Sequence, residues 1–203
     1  MYILHNTKRM VAIIKYNAGN VESVQNALFR LGVESKVTDD FEEIKNAEKV
    51  IFPGVGEASS AMNYLRNVGL DQLIPTLKQP VLGICLGQQL MCQNLEEGNV
   101  KGLGIFDIDV KLFASKDIVP HMGWNNLKNL KGPLLEGISE EENVYFVHSF
   151  YCESSKYCVA ECDYILNFGA ALQKDNFFAT QFHPEKSGKT GAKILSNFLK
   201  IGK

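Results

Sequence analysis

Between residues 11 and 84 short strand-like runs alternate with stretches of helical apolar spacing, and this alternation constrains the fold more than any other feature. Runs at 11–16, 34–37, 49–52 and 81–84 read as strands. Between the first two, Val21, Val24, Leu28 and Leu31 recur at helical spacing and stop at Gly32, with Asn20 placed to cap. A further helix is expected over 59–67, ending before Gly69. Strands that recur with helices between them form a parallel sheet covered on both faces. From 102 to 181 the pattern changes to successive strands with turn residues, which predicts antiparallel pairs, and Ile194, Leu195, Phe198 and Leu199 mark a closing helix. The expectation is one α/β domain: a mostly parallel central sheet with helices on both faces and antiparallel strands in the C-terminal half.

Composition narrows the function classes. The chain has 203 residues, within single-domain range, and its formal net charge of -2 without blocks of like charge offers nothing to nucleic acid. No apolar stretch reaches the ~18 residues needed to span a bilayer, and residues 1–9 lack the apolar core of a signal peptide, so a cytoplasmic location is expected. Five cysteines without C-x-x-C spacing argue against a disulfide framework or zinc ribbon. Cys152, Cys158 and Cys162 read as thiols of successive strands, and neither metal nor cofactor is expected.

Cys85 stands apart. The run Val81-Leu82-Gly83-Ile84-Cys85-Leu86-Gly87 is a short apolar strand ending in a cysteine flanked by glycines, the pattern of a nucleophile elbow between strand and helix. A lone cysteine in an apolar run is ordinarily a small buried hydrophobe, but packing alone gives no reason for glycines on both sides. A helix over roughly 87–94 would aim its N-terminal amides at the sulfur and favour thiolate. At such an elbow the Leu86 N–H is the expected oxyanion donor. About a hundred residues on, Gln181-Phe182-His183-Pro184-Glu185 supplies a base and a carboxylate. If that segment is extended, residues i and i+2 share a face, so Glu185 can hold one ring nitrogen of His183 while the other faces the sulfur.

Gly83, Cys85, Gly87 and Gln89, with His183, Pro184 and Glu185, resemble the G-x-C-x-G-x-Q and H-P-E motifs of the class I, triad-type glutamine amidotransferases. Tyr16-Asn17-Ala18-Gly19-Asn20, Pro53-Gly54-Val55-Gly56, Pro120-His121-Met122-Gly123-Trp124-Asn125 and Tyr145-Phe146-Val147-His148-Ser149-Phe150 are similar, more narrowly, to the glutaminase subunits of imidazole glycerol phosphate synthase. The resemblance implies a flavodoxin-like domain over 10–203, with 1–9 as a poorly ordered extension. It implies that Cys85 attacks the side-chain amide of glutamine to form a thioester, that His183 shuttles the proton, and that Glu185 orients the histidine. It assigns the oxyanion loop to Val55 and Gly56, glutamine binding to Gly54, Gln88, Gln89, His148, Ser149 and Phe150, and partner contacts to Asn17, Asn20, Trp124 and Lys186. The partner it implies is a (β/α)8-barrel cyclase, joined as a heterodimer, that receives the ammonia in histidine biosynthesis.

The triad residues alone leave other readings open. The same glutaminase chemistry could serve a related barrel protein in surface-sugar amidation, or the chain could be a freestanding cysteine hydrolase acting on a peptide or ester. A non-catalytic binding module with relic motifs is a third. Glutamine turnover with ammonia release separates the first from the other two, and loss of growth without histidine separates the two pathways.

Overall fold

The computed structural model describes residues 10–17, 20–114 and 118–202, so the expectation for residues 1–9 lies outside the described residues. A seven-stranded sheet forms the centre. Its strands are β1 (Val11–Ile14), β2 (Ser35–Thr38), β3 (Lys49–Phe52), β4 (Val81–Ile84), β11 (Cys158–Asp163), β12 (Asn167–Lys174) and β13 (Phe177–Thr180), in the order β11-β12-β13-β4-β3-β1-β2. β2, β1, β3, β4 and β13 run parallel, and β12 and β11 add an antiparallel edge.

Side chains of β1 alternate between two cores, as the two-residue period of a strand requires. Val11 and Ile13 pack with Val24 and Leu28 of α1 (Val21–Arg30) and with Ile194, Leu195 and Phe198 of α6 (Gly188–Lys200). Ala12 and Ile14 pack with Ile44 of α2 (Phe41–Asn46), Met62 and Leu65 of α3 (Ala58–Val68), Leu70 of α4 (Leu70–Leu73) and Leu90 of α5 (Leu86–Leu90). Both faces are therefore covered, as the strand–helix alternation predicts. The C-terminal half supplies a hairpin of β8 (His121–Asn126) and β9 (Asn143–His148). It also completes a small sheet of β10 (Phe150–Cys152), β7 (Asp109–Leu112), β5 (Asn94–Leu95) and β6 (Val100–Lys101). This half is not wholly antiparallel: β5 pairs with β7 in parallel, and β13 returns to the central sheet in parallel with β4.

Two local expectations fail for identifiable reasons. Asn20 does not cap α1; it sits in the left-handed region at φ 77° without a side-chain cap, and its amide is used elsewhere. α5 stops at Leu90 instead of running to 94, because the carbonyls of Leu90, Met91 and Cys92 accept from Leu103, Phe106 and Gly104. Loop segment 103–106 thus takes the acceptors that a longer helix would use.

The glycines around Cys85 do have a packing reason. A Cβ on Gly87 would lie 1.9 Å from the Phe52 carbonyl oxygen, and one on Gly83 would lie 3.0 Å from the Gly87 carbonyl. α5 is pressed onto the ends of β3 and β4 more closely than any side chain allows. In an open helix Gly→Ala gains about 1 kcal/mol. Here Gly87→Ala is expected to lose about 2 kcal/mol or more through overpacking, measured as a lower urea midpoint at unchanged slope; a more stable variant would contradict the close approach.

Candidate active site

Cys85 follows the last residue of β4 and precedes α5 with φ 53° and ψ -108°, an uncommon backbone conformation for a side chain with a Cβ. Its N–H donates to the Thr180 carbonyl at 2.7 Å, tying the elbow to the end of β13. This pairing carries the chain into Gln181, Phe182 and His183 beside the nucleophile. The i, i+2 argument for His183 and Glu185 requires extended backbone; Pro184–Lys186 instead forms one 3-10 turn. The two side chains still meet, with His183 Nδ1 2.8 Å from Glu185 Oε1.

A carboxylate accepts, so Nδ1 carries the proton and Nε2 is left for the sulfur. Nε2 is buried and has no hydrogen-bond partner among the described residues, so it is free to serve the sulfur. Asn20 Nδ2 donates to the same Glu185 oxygen at 2.5 Å, which fixes the orienter itself. Burial opposes charge on His183, but the Cys85 sulfur, where it is anionic, and then the Glu185 carboxylate outweigh it and lift the imidazole to about 10. The Glu185 carboxylate on Nδ1 thus favours the imidazolium form of His183. With only five residues in α5, the helix dipole offers less than a longer helix would.

A cavity of about 380 Å³ opens at Cys85, lined by Val55, Gly56, Leu86, Gln89, Glu97, Pro120, Val147, His148, Ser149 and Phe150. Most residues expected to bind glutamine are here. Gln88 is not among them: it is fully buried, and its Nε2 donates to the Gly169 carbonyl at 3.0 Å and to Cys152 Sγ at 3.3 Å. Adjacent positions on a helix point about 100° apart, so only one of the two glutamines can face the cavity. Gly54 lies beneath the loop, where a Cβ would stand 2.2 Å from the Tyr16 hydroxyl, and that hydroxyl donates to the Pro53 carbonyl at 2.6 Å. The Leu86 N–H is occupied, donating to the Gly54 carbonyl at 3.3 Å. In a trans peptide the N–H points opposite to the C=O, so the Val55 N–H faces away from Leu86 in this state.

The described residues include no group of three or more His, Cys, Asp or Glu side chains placed to hold a metal ion. The model of the glutamine amidotransferase class-I family matches residues 12–201. The chain belongs to that family. It is 60% identical over 194 residues to the imidazole glycerol phosphate synthase subunit HisH of Bacteroides thetaiotaomicron, covering 94% of this chain and 99% of the relative. The same protein of Bacteroides fragilis is likewise 60% identical over 94% of this chain and 99% of its own length. Within the class I family the chain thus falls among the HisH proteins. The solved structure of PurLQS from Thermotoga maritima shares the fold with a TM-score of 0.72 at 16% identity, over 97% of this chain and 100% of that one.

The residues assigned to partner contact divide into two kinds. Lys186 and Trp124 are exposed, Trp124 by 58%, which decides against a core role for the tryptophan. Asn17 is exposed but donates to Ser60 Oγ at 3.1 Å, and Asn20 is turned inward on Glu185. Sequence reasoning missed Met122 and Ile118, exposed by 63% and 80%, as well as Tyr16 and Glu97. Met122 had a signal available, since it lies two residues from Trp124 and shares its strand face.

His148 on the cavity wall and His121 behind it form a neutral pair. His148 Nδ1 donates to the Phe150 carbonyl at 2.8 Å, leaving Nε2 to accept from His121 Nδ1 at 3.1 Å. Burial lowers His121 to about 4 and His148 to about 3, the latter helped by the charges of His121 and His183 and opposed by the Phe150 bond. Unfolded histidine titrates near 6.5, so below that pH the unfolded chain binds more protons than the folded one. This stability is complete above about 6.5 and is lost as the pH falls toward 4, at up to ~1.4 kcal/mol per pH unit per histidine. Urea unfolding between pH 6.5 and 5 should show a shallower pH slope in His148→Gln than in the unaltered chain; equal slopes would show that the pair is not neutral.

Proposed function

We propose that the chain is the glutaminase of a two-subunit imidazole glycerol phosphate synthase, cleaving glutamine to glutamate and ammonia and passing the ammonia to a (β/α)8-barrel cyclase in histidine biosynthesis. The Cys85, His183 and Glu185 constellation opening on a cavity of about 380 Å³ supports the glutaminase chemistry, and the 60% identity to the HisH proteins supports the pathway and the partner. The Cys85 thiolate attacks the side-chain amide carbon, and the imidazolium of His183 gives its proton to the departing nitrogen, releasing ammonia and leaving a glutamyl thioester. Neutral His183 then takes a proton from water, whose oxygen displaces the sulfur to give glutamate. Glu97 brings a carboxylate to the cavity wall, suited to the α-ammonium of glutamine, while its Oε2 accepts from the Ala58 N–H at 2.9 Å.

The oxyanion of the tetrahedral intermediate needs donors that the resting state withholds. Rotating the peptide between Gly54 and Val55 removes the carbonyl from the Leu86 N–H and turns the Val55 N–H inward in one motion. Partner binding is the natural trigger, because the exposed hairpin is bonded to the triad segment. Trp124 pairs with Tyr145 across the hairpin, and the Tyr145 carbonyl accepts from the His183 N–H at 2.9 Å. Met122, Trp124 and Lys186 form the proposed docking face, apolar at its centre and basic at one side.

Cys85→Ser should abolish glutamine-dependent synthesis in the complex while synthesis from added ammonium persists. Equal loss of both, with assembly intact, would falsify the assignment. The purified chain alone should hydrolyse glutamine poorly, and adding the cyclase with its ligand should raise kcat; a 100-fold rise corresponds to ~2.7 kcal/mol of preference for the rotated loop. Full turnover by the isolated chain would sink the loop argument. Trp124→Ala should weaken association by about 2 kcal/mol in a titration against the cyclase, and unchanged affinity would remove the hairpin from the interface.

A further inference from the structure

One buried polar side chain at the nucleophile has no part in the mechanism above. Gln181 is fully buried, and its Nε2 lies 3.7 Å from Cys85 Sγ. Its Oε1 accepts from Gln89 Nε2 at 3.0 Å, and that same Gln89 nitrogen donates to the Phe150 carbonyl, also at 3.0 Å. A backbone carbonyl can only accept, so Gln89 must present its NH2 to Phe150. The second hydrogen of that NH2 then meets Gln181, which must present oxygen to receive it. Turning the Gln181 amide over would set two NH2 groups against each other. The direction of the whole chain is thus determined by one main-chain oxygen, and it ends with an N–H aimed at sulfur.

We propose that Gln181 is a further catalytic residue, its side-chain amide donating a hydrogen bond that holds the Cys85 sulfur as thiolate. This rests on the glutaminase reading of the site. The donor acts on a different lone pair from His183, and it is neutral, so it stabilises the anion in both halves of the cycle. His183 is an imidazolium only before it gives up its proton. When water opens the thioester and sulfur departs as thiolate, the Gln181 N–H is already in place. Among the described residues the other titratable groups about the sulfur are His183 and Tyr16, the latter buried with its hydroxyl donated to Pro53, with His148 and Glu97 on the wall of the same cavity. The Val147 carbonyl also lies 3.9 Å from Sγ, a contact in which only the protonated thiol can donate. Gln181 is thus a fixed donor opposed to a fixed acceptor.

The test is the pH profile of Cys85 alkylation by iodoacetamide in the full chain, followed at the Cys85 peptide by mass spectrometry. Gln181→Met keeps length and removes both polar atoms; its half-maximal pH should rise by about one unit, the size expected from a hydrogen bond to a charged group. Glutamine kcat in the complex should fall by about tenfold for that shift, with KM little changed. Gln181→Glu keeps the acceptor for Gln89 but places a carboxylate oxygen at the sulfur, and should move the profile in the same direction at least as far. A purely structural role is preserved by that isostere, so an unaltered alkylation profile in either folded variant overturns the proposal. If Cys85→Ser retains glutamine hydrolysis, the glutaminase reading fails instead, and the alkylation profiles still decide whether Gln181 binds the sulfur.

Discussion

The site depends on β13 returning to lie parallel to β4. The two strands are separated by nearly a hundred residues, and no local preference joins them. Their pairing is completed by the bond from the Cys85 N–H to the Thr180 carbonyl at 2.7 Å, at the last position before both strands break off. Beyond that point each chain is free to turn, one into the elbow and the other into the triad turn. Cys85 and His183 therefore emerge side by side at the carboxyl ends of adjacent parallel strands, where ligands of open α/β sheets bind.

What is legible in the sequence is local. Gly83, Cys85 and Gly87 announce the elbow because close backbone contact excludes side chains, and that exclusion is written in the residues themselves. His183 and Glu185 are legible as neighbours in sequence, though they meet through a 3-10 turn and not a strand. Asn20 reads as a cap because its side chain suits that role equally well; its amide is claimed by a carboxylate 165 residues away. Gln88 and Gln89 cannot be separated without knowing where α5 faces. Tyr16 and Gln181 stand inside runs that carry the resemblance, but their roles, like that of Glu97, are not legible, since each acts through a partner from a distant element.

Phe150 draws these distant parts together. Its carbonyl accepts from both His148 and Gln89, so a single main-chain oxygen orders the neutral histidine pair on one side and the glutamine chain on the other. The low polarity that keeps His121 and His148 uncharged also strengthens each bond in these chains. Such a wall has its side chains tied by directed bonds, which suits a cavity that must hold one small amino acid in one orientation.

The loop opposite that wall behaves differently, because a peptide unit is a flat plate. Its oxygen and its hydrogen cannot move separately, so covering of the Leu86 N–H by Gly54 and withdrawal of the Val55 N–H are a single coordinate. On the proposed rotation the same turn frees the Leu86 N–H and presents the Val55 N–H. Graded stimulation across a population would then be digital within each molecule, with the mean rate counting how many plates face inward. Basal turnover would be rare bursts of full activity, and ammonia escaping without a partner would be released in the same quanta.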